Sequence, residues 1–108
     1  MLLSAGCAVD PAKLAAETAQ ARQAYDSCLA SAARFADDGK TAPAEMAFAV
    51  APMCYRQHLA LEDAEAADMS ASERHKFEYT ADDTQLDAAI DAIRAERAGR
   101  QLARATAP

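Results

Sequence analysis

Apolar positions along the chain recur at three- and four-residue steps, the period of an amphipathic helix. Leu14, Thr18, Ala21, Tyr25, Cys28, Ala32 and Phe35 form one such series, a helix-packing seam with small residues at several positions. Asp10 before Pro11 is a helix start, a capping side chain followed by a residue that needs no N–H partner in the first turn. The pattern predicts a first helix from Pro11 to about Asp37, ended by Gly39 in the left-handed region. Thr41-Ala42-Pro43-Ala44-Glu45 restarts the signal, and a second helix is predicted to run to about Ala67. Its early part, Met46 to Met53, is apolar on every side, which predicts burial on two sides, between the first helix and a later element. Pro52 falls inside this stretch and predicts a kink rather than a break.

Ser70 followed by Glu73 reads as a capping box and opens a third helical segment through His75, Phe77 and Tyr79. Thr80 and Asp83 open a fourth segment or lie within a continuous one. Leu86, Ala89, Ile90 and Ile93 share a face of the last segment, and residues past about Gly99 are expected to fray. The predicted fold is all-α: an antiparallel helical hairpin packed against one or two C-terminal helices. It forms a single domain over residues 10–105, with residues 1–9 standing apart as a tail or the remnant of an export signal.

Composition sharpens this picture. Of 108 residues, 52% are apolar, but 31 are alanine. Alanine is the best helix former and contributes little buried area, so sheets are disfavoured and the core is expected to be thin. No stretch approaches the roughly 20 apolar residues needed to span a bilayer.

The net charge is −6, which argues against a nucleic-acid partner, because affinity for phosphates comes from clustered Lys and Arg. Only the end is basic, where Arg94, Arg97, Arg100 and Arg104 accompany Glu96. A surface for anionic lipid or polymer is one reading of that end. The preferred reading is that these arginines complement the negative end of a helix dipole, with Asp82, Asp83, Asp87 and Asp91 ahead of them in the favourable order.

The cysteines carry more. In an antiparallel hairpin, residues equally far from the turn face each other, and the midpoint of Cys28 and Cys54 is residue 41, inside the predicted turn. A disulfide between them is expected, with flanking alanines permitting the required Cα separation of about 4.4 to 6.8 Å. Two buried free cysteines are the alternative, and the natural one in a reducing cytosol.

The third cysteine follows Met1-Leu2-Leu3-Ser4-Ala5-Gly6. Small residues leading into Cys7 resemble the lipobox of bacterial lipoproteins, whose cysteine becomes the lipidated N-terminus. A complete signal has a basic start and a longer apolar run. The resemblance therefore implies that Met1 is an internal methionine of a longer signal, that Cys7 is the lipidation site, and that Ala8 after it favours the outer membrane. The run from Tyr25 through Cys28, the Gly39 turn and Cys54 to Leu61 also resembles small exported helical proteins of Gram-negative bacteria, a resemblance that brings no functional residues.

Candidate chemistry is sparse. Cys54 and His58 share a helix face, and Met46, Met53, Met69 and His75 are near in sequence, which raises a soft-metal site for copper or zinc. Their spacing matches no metal motif, and a bridged Cys54 supplies no thiolate, so His58 reads as a surface histidine beside core methionines and no metal or other cofactor is expected. Glu62, Asp63, Glu65 and Asp68 lack the ligand alternation of a calcium loop and read as a solvated helix end. No nucleophile has a placed base, and no catalytic residue is expected. The leading expectation is a non-enzymatic envelope protein, lipid-anchored, acting as an interaction or structural module. Its partner is another envelope protein or a second copy, and it meets the membrane only through the lipid on Cys7. The alternatives are a cytosolic helical adaptor with reduced cysteines and a periplasmic protein binding metal through Met and His.

Overall fold

Asp10 opens the first helix through its carboxylate, which accepts the Ala12 N–H at 3.0 Å, with Pro11 in the first turn. This helix, α1, spans Pro11–Ala36 in the computed structural model, which describes residues 10–108. The Asp37 N–H closes its last turn on the Ala33 carbonyl at 2.9 Å. Gly39 follows at φ 72°, a conformation that costs a β-carbon, and turns the chain back on itself.

The returning arm begins with α2, Pro43–Val50. At Pro52 the helical course continues without a break but changes form. Residues Ala51–Cys54 tighten into a 3-10 helix before α3, Tyr55–Glu65, resumes the α form. In the tighter turn the Tyr55 N–H bonds the Pro52 carbonyl, and the Gln85 side chain of the last helix donates to the Ala51 carbonyl at 3.2 Å. Ser70 and Glu73 form both halves of the capping box, and the final helix, α4, runs unbroken through Ala71–Thr106. The hairpin thus packs against one C-terminal helix. That helix also passes Gly99, where fraying was expected, because Ala103 and Ala105 favour it and the Thr106 hydroxyl bonds back to the Leu102 carbonyl.

The core lies where the three lengths meet. Tyr25, Leu29, Ala32 and Ala33 of α1 face Met46, Ala47 and Val50 of α2, Cys54, Leu61 of α3, and Ala89 and Ile93 of α4. Among the described residues, half of the fourteen buried apolar ones are alanines, so the helices meet at close range over small side chains. α1 lies along α3, and α4 lies along α2 and α1, while α3 and α4 barely touch.

Two seam expectations need correction. Phe35 is 84% exposed, and Leu29 is buried instead. A strict seven-residue seam holds its direction only in a supercoil, and on an ordinary helix it drifts about 20° per heptad. Three heptads separate Leu14 from Phe35, enough to carry the ring off the packed face. Met46 to Met53 is buried on one side only: α1 and α4 share that side, and Phe48 remains 67% exposed on the other.

Candidate functional site

Cys28 and Cys54 form the expected disulfide, with Cα atoms 5.8 Å apart. Cys54 is fully buried on the 3-10 turn and Cys28 is half-buried on the facing side of α1. Their equal distance from the Gly39 turn sets the level at which they meet, and Ala51 and Ala32 in the same core allow the approach. Cys7, the expected lipid attachment site, lies outside the described residues.

The bridge fixes which face of α3 points inward, and His58, one turn after Cys54, is carried in with it. His58 is therefore 6% exposed, which corrects its reading as a surface histidine. Its ring packs against Tyr25 of α1 at 5.7 Å between centroids and against Tyr55 at 6.4 Å. Two polar atoms here are enclosed without a hydrogen bond, the Tyr25 hydroxyl and His58 Nε2. The Glu62 carboxylate stands 3.4 Å from His58 Nε2 but out of line for a hydrogen bond. Burial pushes the Tyr25 hydroxyl above its usual pKa, while Arg22 pulls it down and Asp26 adds to the rise.

These groups border a cavity of about 180 Å³, where α3 and α4 fail to close on one another. Leu61, Phe77 and Ala81 supply apolar wall. At one side Arg22 of α1 reaches Glu65 of α3 at 3.2 Å, an ion pair left partly in solvent. The acidic run read as a solvated helix end is thus divided: Glu62 and Glu65 turn inward to half-buried positions, and Asp63 and Asp68 stay exposed.

The sequence-derived metal candidates do not converge. Cys54 is bridged, Met53 and His75 are exposed, and Met46 and Met69 stand near opposite ends of the arm, roughly 30 Å of helix apart. Among the described residues, no group of three His, Cys, Asp or Glu side chains is placed to hold a metal ion.

A second polar cluster sits at the other end, and the sequence did not point to it. The Asp37 side chain is fully enclosed and receives Nε and Nη2 of Arg97 at 2.9 and 2.7 Å, with Arg100 Nη1 at 3.8 Å. Arg97 also donates to the Thr41 carbonyl. Arg97 and Arg100 therefore clamp α4 to the hairpin turn, which corrects their reading as complements to the helix dipole. The Arg97 hydrogen bonds hold the Asp37 carboxyl below its ordinary pKa against the opposing effect of burial. Asp38 is held at about 2 by the Thr41 hydroxyl and by the N–H groups of Thr41 and Lys40. Periodicity says nothing about this cluster, because its partners are 60 residues apart.

A third feature is apolar and outward. Phe48, Pro52, Tyr55 and Leu59 follow one another at steps of four, three and four, and all are exposed, so the arm carries an apolar stripe opposite its core face. No family of proteins, no curated protein and no solved structure matches this chain.

Proposed function

We propose that the protein is an exported, non-enzymatic helical module of the bacterial cell envelope, tethered by a lipid on Cys7 and engaging a partner protein through the outer stripe of α2 and α3. The observation that carries this reading is the bridge between Cys28 and Cys54. Disulfides persist in oxidising compartments and are rare inside the cell. With two cysteines joined, the third is left for a separate role, and its small preceding residues, Ser4, Ala5 and Gly6, suit a lipidation signal. The stripe of Phe48, Pro52, Tyr55 and Leu59 supports engagement of a partner, since large apolar side chains in a row on a surface mark interaction sites. Among the described residues, no helix is long and apolar enough to cross a membrane, so the lipid supplies the attachment in this reading.

Intact mass of the protein isolated from its native cells tests it. The expected species begins at a diacylglycerol-modified Cys7 and gains about 2 Da on reduction, as one disulfide requires. A full-length chain with three free thiols in the cytosol overturns the reading and supports a cytosolic adaptor instead. A photo-crosslinker at Phe48 or Leu59 is expected to trap a partner that the same group at exposed Glu78 does not. Equal trapping at both places refutes the assignment of the stripe.

A further inference from the structure

We infer that the cavity where the hairpin turn meets the last turns of α4 is a binding site for a phosphate monoester, free in solution or as the headgroup of a lipid. The site requires neither export nor a lipid on Cys7, and stands or falls apart from the envelope reading.

Lys40, Arg97, Arg100 and Arg104 all stand in the wall of this cavity, whose volume is about 280 Å³. Two of the four cations are already matched, Arg97 by Asp37 at 2.7 Å and Arg100 by Asp37 at 3.8 Å and Glu96 at 3.4 Å. Lys40 and Arg104 are not: among the described residues, no carboxylate lies within 4.0 Å of either. Asp38 also lines the cavity, but its oxygens are engaged by the turn, where they accept the N–H groups of Lys40 and Thr41 and the Thr41 hydroxyl. The clamp of Arg97 on Asp37 holds the end of α4 against the turn and so brings the two unmatched cations to one concave surface, where Gln101 adds an exposed amide. Ammonium, guanidinium and amide are all N–H donors, and phosphate oxygens accept such groups in strong, charge-assisted bonds.

Charge and size narrow the class. Two unmatched cations suit the charge of roughly −1.5 to −2 that a phosphate monoester carries at neutral pH. A cavity of about 280 Å³ exceeds the roughly 150 Å³ that accepts benzene in a protein interior, so the phosphate enters with a few atoms of the group that bears it. A long polyanion is disfavoured, because the chain as a whole carries −6 and repels negative charge laid along it. The negative end of the α4 dipole also favours a cation at Arg104, since the helix ends at Thr106. That accounts for Arg104 but not for Lys40, which lies on the turn.

The test uses the full chain with its bridge intact and three soluble probes: glycerol 3-phosphate, acetate and glycerol. Binding is followed by calorimetry and by the NMR shifts of the Gly39 and Gln101 amides. Glycerol 3-phosphate is expected to bind saturably and to shift both amides, acetate to bind at least about tenfold more weakly, and glycerol not at all. Lys40→Gln and Arg104→Gln are each expected to weaken glycerol 3-phosphate about tenfold, the loss of one charge-assisted contact. Lys13→Gln, an equal change of net charge at the far end of α1, is expected to leave it unchanged. Vesicles of phosphatidylcholine carrying phosphatidic acid, vesicles carrying phosphatidylglycerol, and phosphatidylcholine alone separate the two sources. Retention on phosphatidic acid above phosphatidylglycerol, reduced by Lys40→Gln, supports a lipid headgroup as the ligand. Equal retention on all three, with glycerol 3-phosphate bound, supports a soluble monoester. The inference is overturned if glycerol 3-phosphate shifts neither amide at millimolar concentration, if acetate equals it, or if Lys13→Gln weakens it as much as Lys40→Gln does. It is equally overturned if Arg104→Gln lowers the melting temperature and leaves binding intact, because Arg104 then serves only the helix end.

Discussion

At the scale of single residues, the most constrained charge in the molecule is Asp37, with no exposed side-chain surface and two guanidinium hydrogen bonds. Replacing it with asparagine keeps the shape and removes the charge-assisted pair. Asp37→Asn is therefore expected to lower the melting temperature at neutral pH by about 5 to 10 °C. Acid has a related effect. Both Asp37 and Asp38 have carboxyl groups held below their unfolded value of 3.8. Their contribution is thus fully present above pH 4 and is lost as pH falls toward the folded values, about 2 for Asp38. Thermal melts at stepped pH are expected to show constant stability from neutral to about pH 5, then a decline from about pH 4 to 2. In Asp37→Asn that decline is shallower. A variant with the wild-type acid slope would show that the clamp contributes nothing. Asp38 lies in solvent, so its share is small and screened by salt.

At the scale of elements, local signals account for nearly every helix boundary. Asp10 with Pro11, Pro43, and Ser70 with Glu73 each start a helix where their side chains predict, because capping chemistry acts within one turn. Ser70→Ala is expected to cost about 1 kcal/mol by denaturant unfolding and to expose the first-turn amides of α4 to faster hydrogen exchange. Whether Thr80 and Asp83 interrupt the last segment is not decidable from such signals. The structure shows the Thr80 hydroxyl bonding the Phe77 carbonyl within one continuous helix. Orientation was harder to read than position. Phe35 left the seam through accumulated drift, and His58 entered the interior because Cys54 turns that face inward. The second outcome was legible in principle, since a bridged cysteine places its i+4 neighbour on the same side. The clamp of Arg97 on Asp37 was not, because charges on distant elements carry no register.

At the scale of the whole molecule, a thin alanine-rich core is held by a covalent bond. With a sequence separation of 26, the bridge contributes about 3.5 kcal/mol by the chain-entropy estimate. Paired replacement of Cys28 and Cys54 by serine is expected to remove about that much in urea unfolding. An unchanged midpoint would mean that the close alanine packing suffices alone. The described residues extend 70 × 30 × 16 Å, longer than a compact domain of this size requires, because α4 alone is 36 residues and outruns its partners. The N-terminal end of α1 and the hairpin turn are therefore at opposite ends of the body, with the cavity beside His58 in the half nearer Asp10 and the Asp37 clamp at the turn.

The bridge also decides how the chain carries mechanical load. Pulled between its two ends, the oxidised protein passes tension from Cys28 directly to Cys54, and the segment between them, with the turn, α2 and Pro52, bears none. In single-molecule stretching the oxidised chain is expected to unravel to a length about 85 Å shorter than the reduced one, the reach of the bypassed residues. Force applied between the N-terminal end of α1 and α3 would leave that segment slack while the rest of the molecule is drawn tight.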